Sequence, residues 1–272
     1  MTVRAAALVV AVTCAAAGAS CPAAAGSAVA AVPARAPGAA AGMAGGASPA
    51  CTRGRATTAA AGRPTVQLAW RAGLRRRTPV YARATARAAH PLRWVTPAQD
   101  PWLLVLGARP VAGGGCELRV RLPWRPNGAA GWVNAAAVTL RSTPWRIAVS
   151  LARRTVTLLD QGRPVSRSRA VIGKPSTPTP TGLFAVAQAV PWHPNAFLGS
   201  WVLALTAHSD VLRTFDGGNG TVAIHGRGGL SLLNPLGSAS SHGCVRLANA
   251  AIDALVRRIG RRRLVGTPVQ IT

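Results

Sequence analysis

Acidic residues are scarce in this chain: six among 272, against 32 lysines and arginines, nearly all of them arginine, for a formal charge of +26. Such a balance draws a protein toward polyanions with a strength that salt weakens. No basic segment with interleaved aromatics of a nucleic-acid-binding kind is present, which turns the reading away from nucleic acid. An anionic cell-envelope polymer and a simply solvated arginine surface both remain open as explanations of the charge. Long apolar runs are missing as well: no segment approaches ~18 uninterrupted apolar residues, so a membrane span is not expected. The five cysteines show no metal-ligand spacing, and no internal repeat is present. Neither a metal nor an organic cofactor is expected.

What is abundant is alanine. It supplies much of the 49% hydrophobic fraction and crowds into the first sixty or so positions, where it can bury little area. Arg4, the apolar run from Ala5 to about Ala17 and the small residues around Ala23 to Ala30 have the order of a secretory signal peptide, residues 1–30. Residues 31–63, built of Ala, Gly, Pro and Ser, lack the large apolar side chains needed to offset chain entropy and read as a flexible linker. Export to the cell wall or another extracytoplasmic space is expected. Cys14 and Cys21 would leave with the signal, and Cys51, Cys116 and Cys244 would remain as an odd set in an oxidising compartment. A Cys51–Cys116 bridge stays open; a thiol left over there points to catalysis.

Residues 64–143 switch to short β-rich runs: Thr65–Leu68, Pro79–Tyr81, Trp102–Leu106, Leu118–Leu122 and Gly131–Val133. An Asn127-Gly128 pair supports a hairpin turn between the last two. This reads as a small β-barrel module, and Leu122–Leu140 resembles the small bacterial Src-homology-type barrels that often precede wall enzymes. Trp102, Trp124 and Trp132 belong either to its core or to a ligand groove.

Residues 144–272 continue in strands, at Arg146–Leu151, Thr155–Leu159, Ser168–Gly173, Leu183–Ala187, Trp201–Leu205 and Thr221–His225, a signature of a sandwich or barrel. The Lys174–Gly182 segment, with three prolines and three threonines, excludes helix and central strand and is expected to be a surface loop. One helix is expected after Asn249, which is suited to cap it; Ile252, Leu255, Val256 and Ile259 have helical spacing and Gly260 can end it. A terminal strand follows at Thr267–Ile271. The fold class is therefore mainly β, with a small barrel, a sandwich and one short helix near the C-terminus.

The chemistry concentrates in Ser241-His242-Gly243-Cys244-Val245-Arg246-Leu247, with Ile224-His225-Gly226 upstream. A thiol with an ordinary pKa near ~8.5 needs a base or a cation beside it to act as a thiolate at neutral pH. His242 shares a face with Cys244 on an extended segment, and His225 ends a strand from which it can approach; spacing alone does not choose between them. Gly243 allows a backbone close to substrate, with amide N–H groups for an oxyanion. Arg246 can clamp a carboxylate or brace the loop, and Ser241 can order the turn. The remaining histidines, His90, His193 and His208, read as structural or exposed.

Together the Ile224–Gly226 triplet, the Ser241–Leu247 segment and the Lys174–Gly182 loop resemble the L,D-transpeptidase family of peptidoglycan enzymes over about Pro144 to Thr272. The resemblance implies a β-sandwich in which Cys244 is the nucleophile and His225 the proton donor and acceptor. His242, Gly243, Arg246, Gly226 and Ser241 would shape the substrate pocket or oxyanion site. It further implies a thioester formed on a donor stem tetrapeptide, and a cross-link between the third residues of two stems. The partners are then peptidoglycan stem peptides, and the protein is expected to act as a monomer. An L,D-carboxypeptidase, in which water takes the thioester, and a non-catalytic wall-binding protein are the alternatives.

Overall fold

Polar and apolar residues alternate along runs such as Arg146–Leu151 and Thr155–Leu158, a period that suits strands buried on one face. The computed structural model describes residues 63–84, 90–99, 101–111, 115–215 and 217–272. The expected signal segment, most of the linker and Cys51 lie outside the described residues. The first strands are β1 (Ala69–Leu74), β2 (Thr78–Val80), β3 (Arg93–Val95), β4 (Trp102–Pro110), β5 (Cys116–Arg121), β6 (Ala130–Asn134) and β7 (Val138–Thr143). Five of them form one antiparallel sheet in the order β6-β5-β4-β1-β7, and β2 pairs with β3. Trp70, Leu103, Val105, Leu118, Val120 and Val133 fill its core.

The second set comprises β8 (Trp145–Ser150), β9 (Thr155–Asp160), β10 (Arg163–Arg169), β11 (Ile172–Gly173), β12 (Gly182–Pro191), β13 (Trp201–His208), β14 (Thr221–His225), β15 (Ala239–Ser241), β16 (Val245–Arg246) and β17 (Pro268–Ile271). Eight of these make a sheet in the order β10-β9-β8-β17-β12-β13-β14-β16. Val149 and Val156, from one end of that order, share a core with Val222, Ile224 and Val245 from the other. The sandwich is thus one sheet curled on itself. Helix α1 (Asn249–Ile259) closes the core with Ile252, Leu255 and Ile259, side chains whose full burial stabilises by ~1.5–3 kcal/mol each. It ends at Gly260, whose φ of +84° suits glycine, and a single turn, α2 (Arg261–Leu264), follows.

The two sheets touch through a small apolar patch of Ala69, Leu104 and Ala185. Arginines reinforce the seam. Arg71, buried in β1, donates from Nη1 to the carbonyls of Arg263 (2.9 Å) and Val265 (3.0 Å), and Arg146 donates to the Thr65 carbonyl. Burial and the neighbouring guanidiniums of Arg263 and Arg141 pull the Arg71 pKa down to about 10. Part of the arginine excess is therefore internal scaffold, serving carbonyls that would otherwise be buried without a donor.

Three expectations are corrected. Thr65–Leu68 forms a turn, because Thr65 Oγ1 accepts the N–H groups of Gln67 and Leu68, and the first strand starts at Ala69. Asn249 does not cap α1: Ala248 holds the cap position, and the Asn249 side chain turns to other loops. The Lys174–Gly182 loop is only partly at the surface, since Thr177, Thr179 and Pro180 are buried.

Candidate active site

Strands β14 and β16 lie parallel, with Ile224 beside Val245 and His225 beside Arg246. That pairing brings the Ile224-His225-Gly226 triplet to the Ser241–Leu247 segment. The Leu247 N–H donates to the His225 carbonyl at 2.9 Å, fixing the register. Cys244 immediately precedes β16, at the mouth of the ladder.

The turn that presents Cys244 is held from inside and from below. Ser241 is fully buried; its Oγ donates to the Cys244 carbonyl (2.6 Å) and accepts the Gly243 N–H (3.1 Å). Gly243 has φ +121°, a conformation that L side chains rarely adopt, so glycine is needed to close this turn. Beneath it, Thr179 Oγ1 donates to the Gly243 carbonyl (2.8 Å) and accepts the Gly173 N–H (2.9 Å), and Thr177 Oγ1 donates to the Ser241 carbonyl (3.3 Å). The proline-rich loop is thus a brace for the cysteine turn. Because the Gly243 N–H is spent on Ser241, it is not an oxyanion donor; the Cys244 N–H has no acceptor among the described residues.

His225 is buried, 1% exposed. Its Nδ1 lies 2.7 Å from the Gly226 carbonyl, which can only accept, so Nδ1 carries the proton and Nε2 holds the free lone pair. Burial pulls its pKa down to about 4, assisted by the Arg246 charge and resisted by the Gly226 and Leu198 backbone groups. Cys244 is a free, half-buried thiol. Burial pushes its pKa up, and the Ala223 backbone and the Arg246 guanidinium offset this only in part. Both shifts favour neutral forms. Burial thus works against a thiolate and an imidazolium in this site, and favours thiol and neutral imidazole. No hydrogen bond joins Sγ to the ring among the described residues; both face one cavity of ≈ 60 Å³.

Arg246 lines that cavity too. Its guanidinium lies 4.7 Å from the Phe197 ring centroid, and Nη1 donates to Asn234 Oδ1 at 2.6 Å. Its buried Nε has no hydrogen-bond partner among the described residues. Burial lowers its pKa, with the Cys244 sulfur pulling the other way. The arginine therefore offers a positive charge in a low-dielectric wall, held by a side-chain amide rather than a carboxylate. His242 is exposed and tilts against Phe215, with ring centroids 5.2 Å apart; burial, Lys174 and Arg246 lower its pKa. It stands on the cavity wall opposite in kind to His225, without a backbone tie that fixes a tautomer.

Gly226 serves the frame. Its N–H donates to the Trp201 carbonyl (3.1 Å), and an added Cβ would lie 2.2 Å from Asn249 Oδ1. Asn249 needs that space: Oδ1 accepts the N–H groups of Ser200 (3.1 Å) and Arg227 (2.9 Å), and Nδ2 donates to the Pro194 carbonyl (3.0 Å). One side chain thereby ties the loops before β13 and after β14. Sequence reasoning missed Asn249, Thr179, Asn234 and Phe197 as site residues. Trp201 is half-buried against the core beneath Arg261 and does not line the cavity. His208 is buried structurally at the end of β13, as a lone histidine suggests. Cys116 is disulfide-bonded; the candidate partner Cys51 lies outside the described residues.

Residues 144–271 match the model of the YkuD family, an L,D-transpeptidase catalytic domain. This part of the chain belongs to that family. A curated Bacillus licheniformis protein named for L,D-transpeptidase activity, YkuD, is 32% identical over 129 residues; the match covers 47% of this chain and 66% of the relative. Among solved structures, an Enterococcus faecium L,D-transpeptidase is 22% identical, covering 47% of this chain and 49% of its own, with a TM-score of 0.33. An L,D-transpeptidase from Mycobacterium tuberculosis is 15% identical over 64% of this chain and 91% of its own, with a TM-score of 0.40. The chain thus spans about two thirds of the curated relative and half of the first solved one.

Proposed function

We propose that this protein is an exported L,D-transpeptidase that joins the third residues of two peptidoglycan stem peptides through a thioester on Cys244. The observation that carries the reading is the shared cavity, where a free thiol, an imidazole with its Nδ1 proton tied down and a buried guanidinium meet. The family membership of residues 144–271 supports it. The disulfide at Cys116 and the signal-like N-terminus support an oxidising, extracytoplasmic setting.

In this mechanism the donor carbonyl, between the third residue and the terminal D-alanine, sits over Sγ. The sulfur attacks as His225 Nε2 takes its proton, so charge forms only once substrate is in place. The Cys244 N–H faces the developing oxyanion, and the Arg246 charge steadies the negative sulfur. The C–N bond then breaks and His225 returns the proton to the departing D-alanine amine, leaving the thioester. The side-chain amine of the acceptor's third residue attacks next, passing a proton through His225 to the leaving sulfur as the new amide forms. Each proton taken is given back, and no external reagent is consumed.

Incubating the protein with disaccharide-tetrapeptide muropeptides and reading products by mass spectrometry tests this. Dimers joined between third residues are expected. Tripeptide monomers alone would assign a carboxypeptidase, and unchanged muropeptides would remove the enzymatic reading. A carbapenem, an acyl-donor mimic, should add its mass to the wild type and not to Cys244→Ala.

A further inference from the structure

A cleft of 820 Å³ lies between the two sheets and is separate in most of its lining from the cysteine cavity. Its volume falls within the ~300–1,000 Å³ typical of small-ligand sites. The barrel side contributes Trp94, Trp124 and Gln99; the catalytic side contributes Gln188, Asn219 and Thr221. Thr221 also lines the cysteine cavity, so the two sites adjoin at that residue.

We infer that this cleft holds the N-acetylated amino-sugar disaccharide to which the donor stem peptide is attached. The inference rests on the stem-peptide reading of the cysteine site. Among the described residues no carboxylate lines the cleft, and the two guanidiniums at its indoles are stacked on them, Arg93 at 5.1 Å from the Trp124 ring centroid and Arg77 at 4.2 Å from that of Trp94. What remains is indole surface and neutral amide or hydroxyl groups, the combination that suits a sugar: apolar ring faces rest on aromatics while hydroxyl and acetamido groups exchange hydrogen bonds with amides. Trp94 is 44% exposed although large and apolar, and the Gln188 side chain is exposed and has no hydrogen-bond partner among the described residues. A peptide carrying free amines and carboxylates would meet little charge complementarity here.

The test compares two donors with the full-length protein and one acceptor: a tetrapeptide bearing the disaccharide, and the same tetrapeptide without sugar. Wild-type kcat/KM should favour the sugar-bearing donor by about tenfold, and Trp94→Ala and Gln188→Ala should each cut that ratio about three- to tenfold. A wild-type ratio of one, or a ratio that survives both substitutions, overturns the inference. So does an equal loss on both donors, which would assign the cleft to peptide. Binding of the peptide-free disaccharide to Cys244→Ala, read by ligand line broadening in NMR, separates this inference from the cysteine mechanism. Broadening that disappears when Trp94→Ala is added supports the site even if neither donor is turned over; no broadening overturns it.

Discussion

Asn127 and His208 exchange a matched pair of hydrogen bonds: the His208 N–H donates to Asn127 Oδ1 at 2.8 Å, and Asn127 Nδ2 donates to the His208 carbonyl at 2.7 Å. A side-chain amide thereby stands in for a neighbouring strand at the end of β13. Beside it, Arg125 donates to the carbonyls of Ser209 (2.8 Å), Leu212 (3.1 Å) and Asn219 (3.1 Å). The hairpin tip of the first sheet thus grips both ends of the loop after β13, whose Ser209, Leu212 and Phe215 wall the cysteine cavity.

Arg125→Ala should loosen that loop. Three bonds to a charged donor are lost at a half-buried site, so stability should fall by about 1–3 kcal/mol, discounted for solvent screening. KM should rise several-fold while kcat changes less, because the loop shapes access and not the thiol. Urea unfolding and steady-state kinetics check both, and an unchanged KM would detach this contact from substrate binding.

The brace under the cysteine turn makes a sharper prediction. Thr179→Val keeps the shape but strips the partner from the buried Gly173 N–H and Gly243 carbonyl, for a stability loss of about 2 kcal/mol. Displacement of the turn should lower kcat about tenfold. Thr179→Ser should restore both values, and failure of serine to rescue would argue that the methyl packing matters instead.

Acidity should act through His225. The imidazole is a base only when neutral, so the acid limb of kcat/KM should have its midpoint near the folded value of about 4 instead of the usual 6.5. A midpoint above 6 would contradict the buried environment. The same shift fixes a stability trend: between about 4 and 6.5 the unfolded chain binds a proton that the folded chain does not. Stability therefore rises with pH across that window and is lost as pH falls, by up to ~1.4 kcal/mol per unit. Unfolding measured at pH 4.5 and 7 should show this slope in the wild type and a smaller one in His225→Gln.

Cys244→Ala should leave the unfolding midpoint close to that of the wild type and abolish turnover. Residual wild-type turnover in that variant, read by muropeptide mass spectrometry, would move the nucleophile elsewhere.

What could be read in the sequence was what neighbours in the chain decide. Alternation placed β8, the β-rich runs and turn residues placed β9 and β14, and helical spacing of Ile252, Leu255 and Ile259 placed α1. The thiol and its histidine stood out because both sit in short, recognisable segments. What stayed hidden depends on distant pieces of chain meeting. Asn249 looks like a helix cap until Ser200, Arg227 and Pro194 arrive around it, and Thr179 looks like loop filler until Gly243 settles above it. The upward push on the thiol's pKa escaped for the same reason, since burial is a property of everything packed around a residue.

The burial of that sulfur bears on the protein's durability. Peroxides and stray disulfides react with thiolates, and a sulfur whose pKa burial pushes up presents less thiolate for them to attack. In the proposed enzyme the cysteine would thereby stay less open to oxidative damage between turnovers.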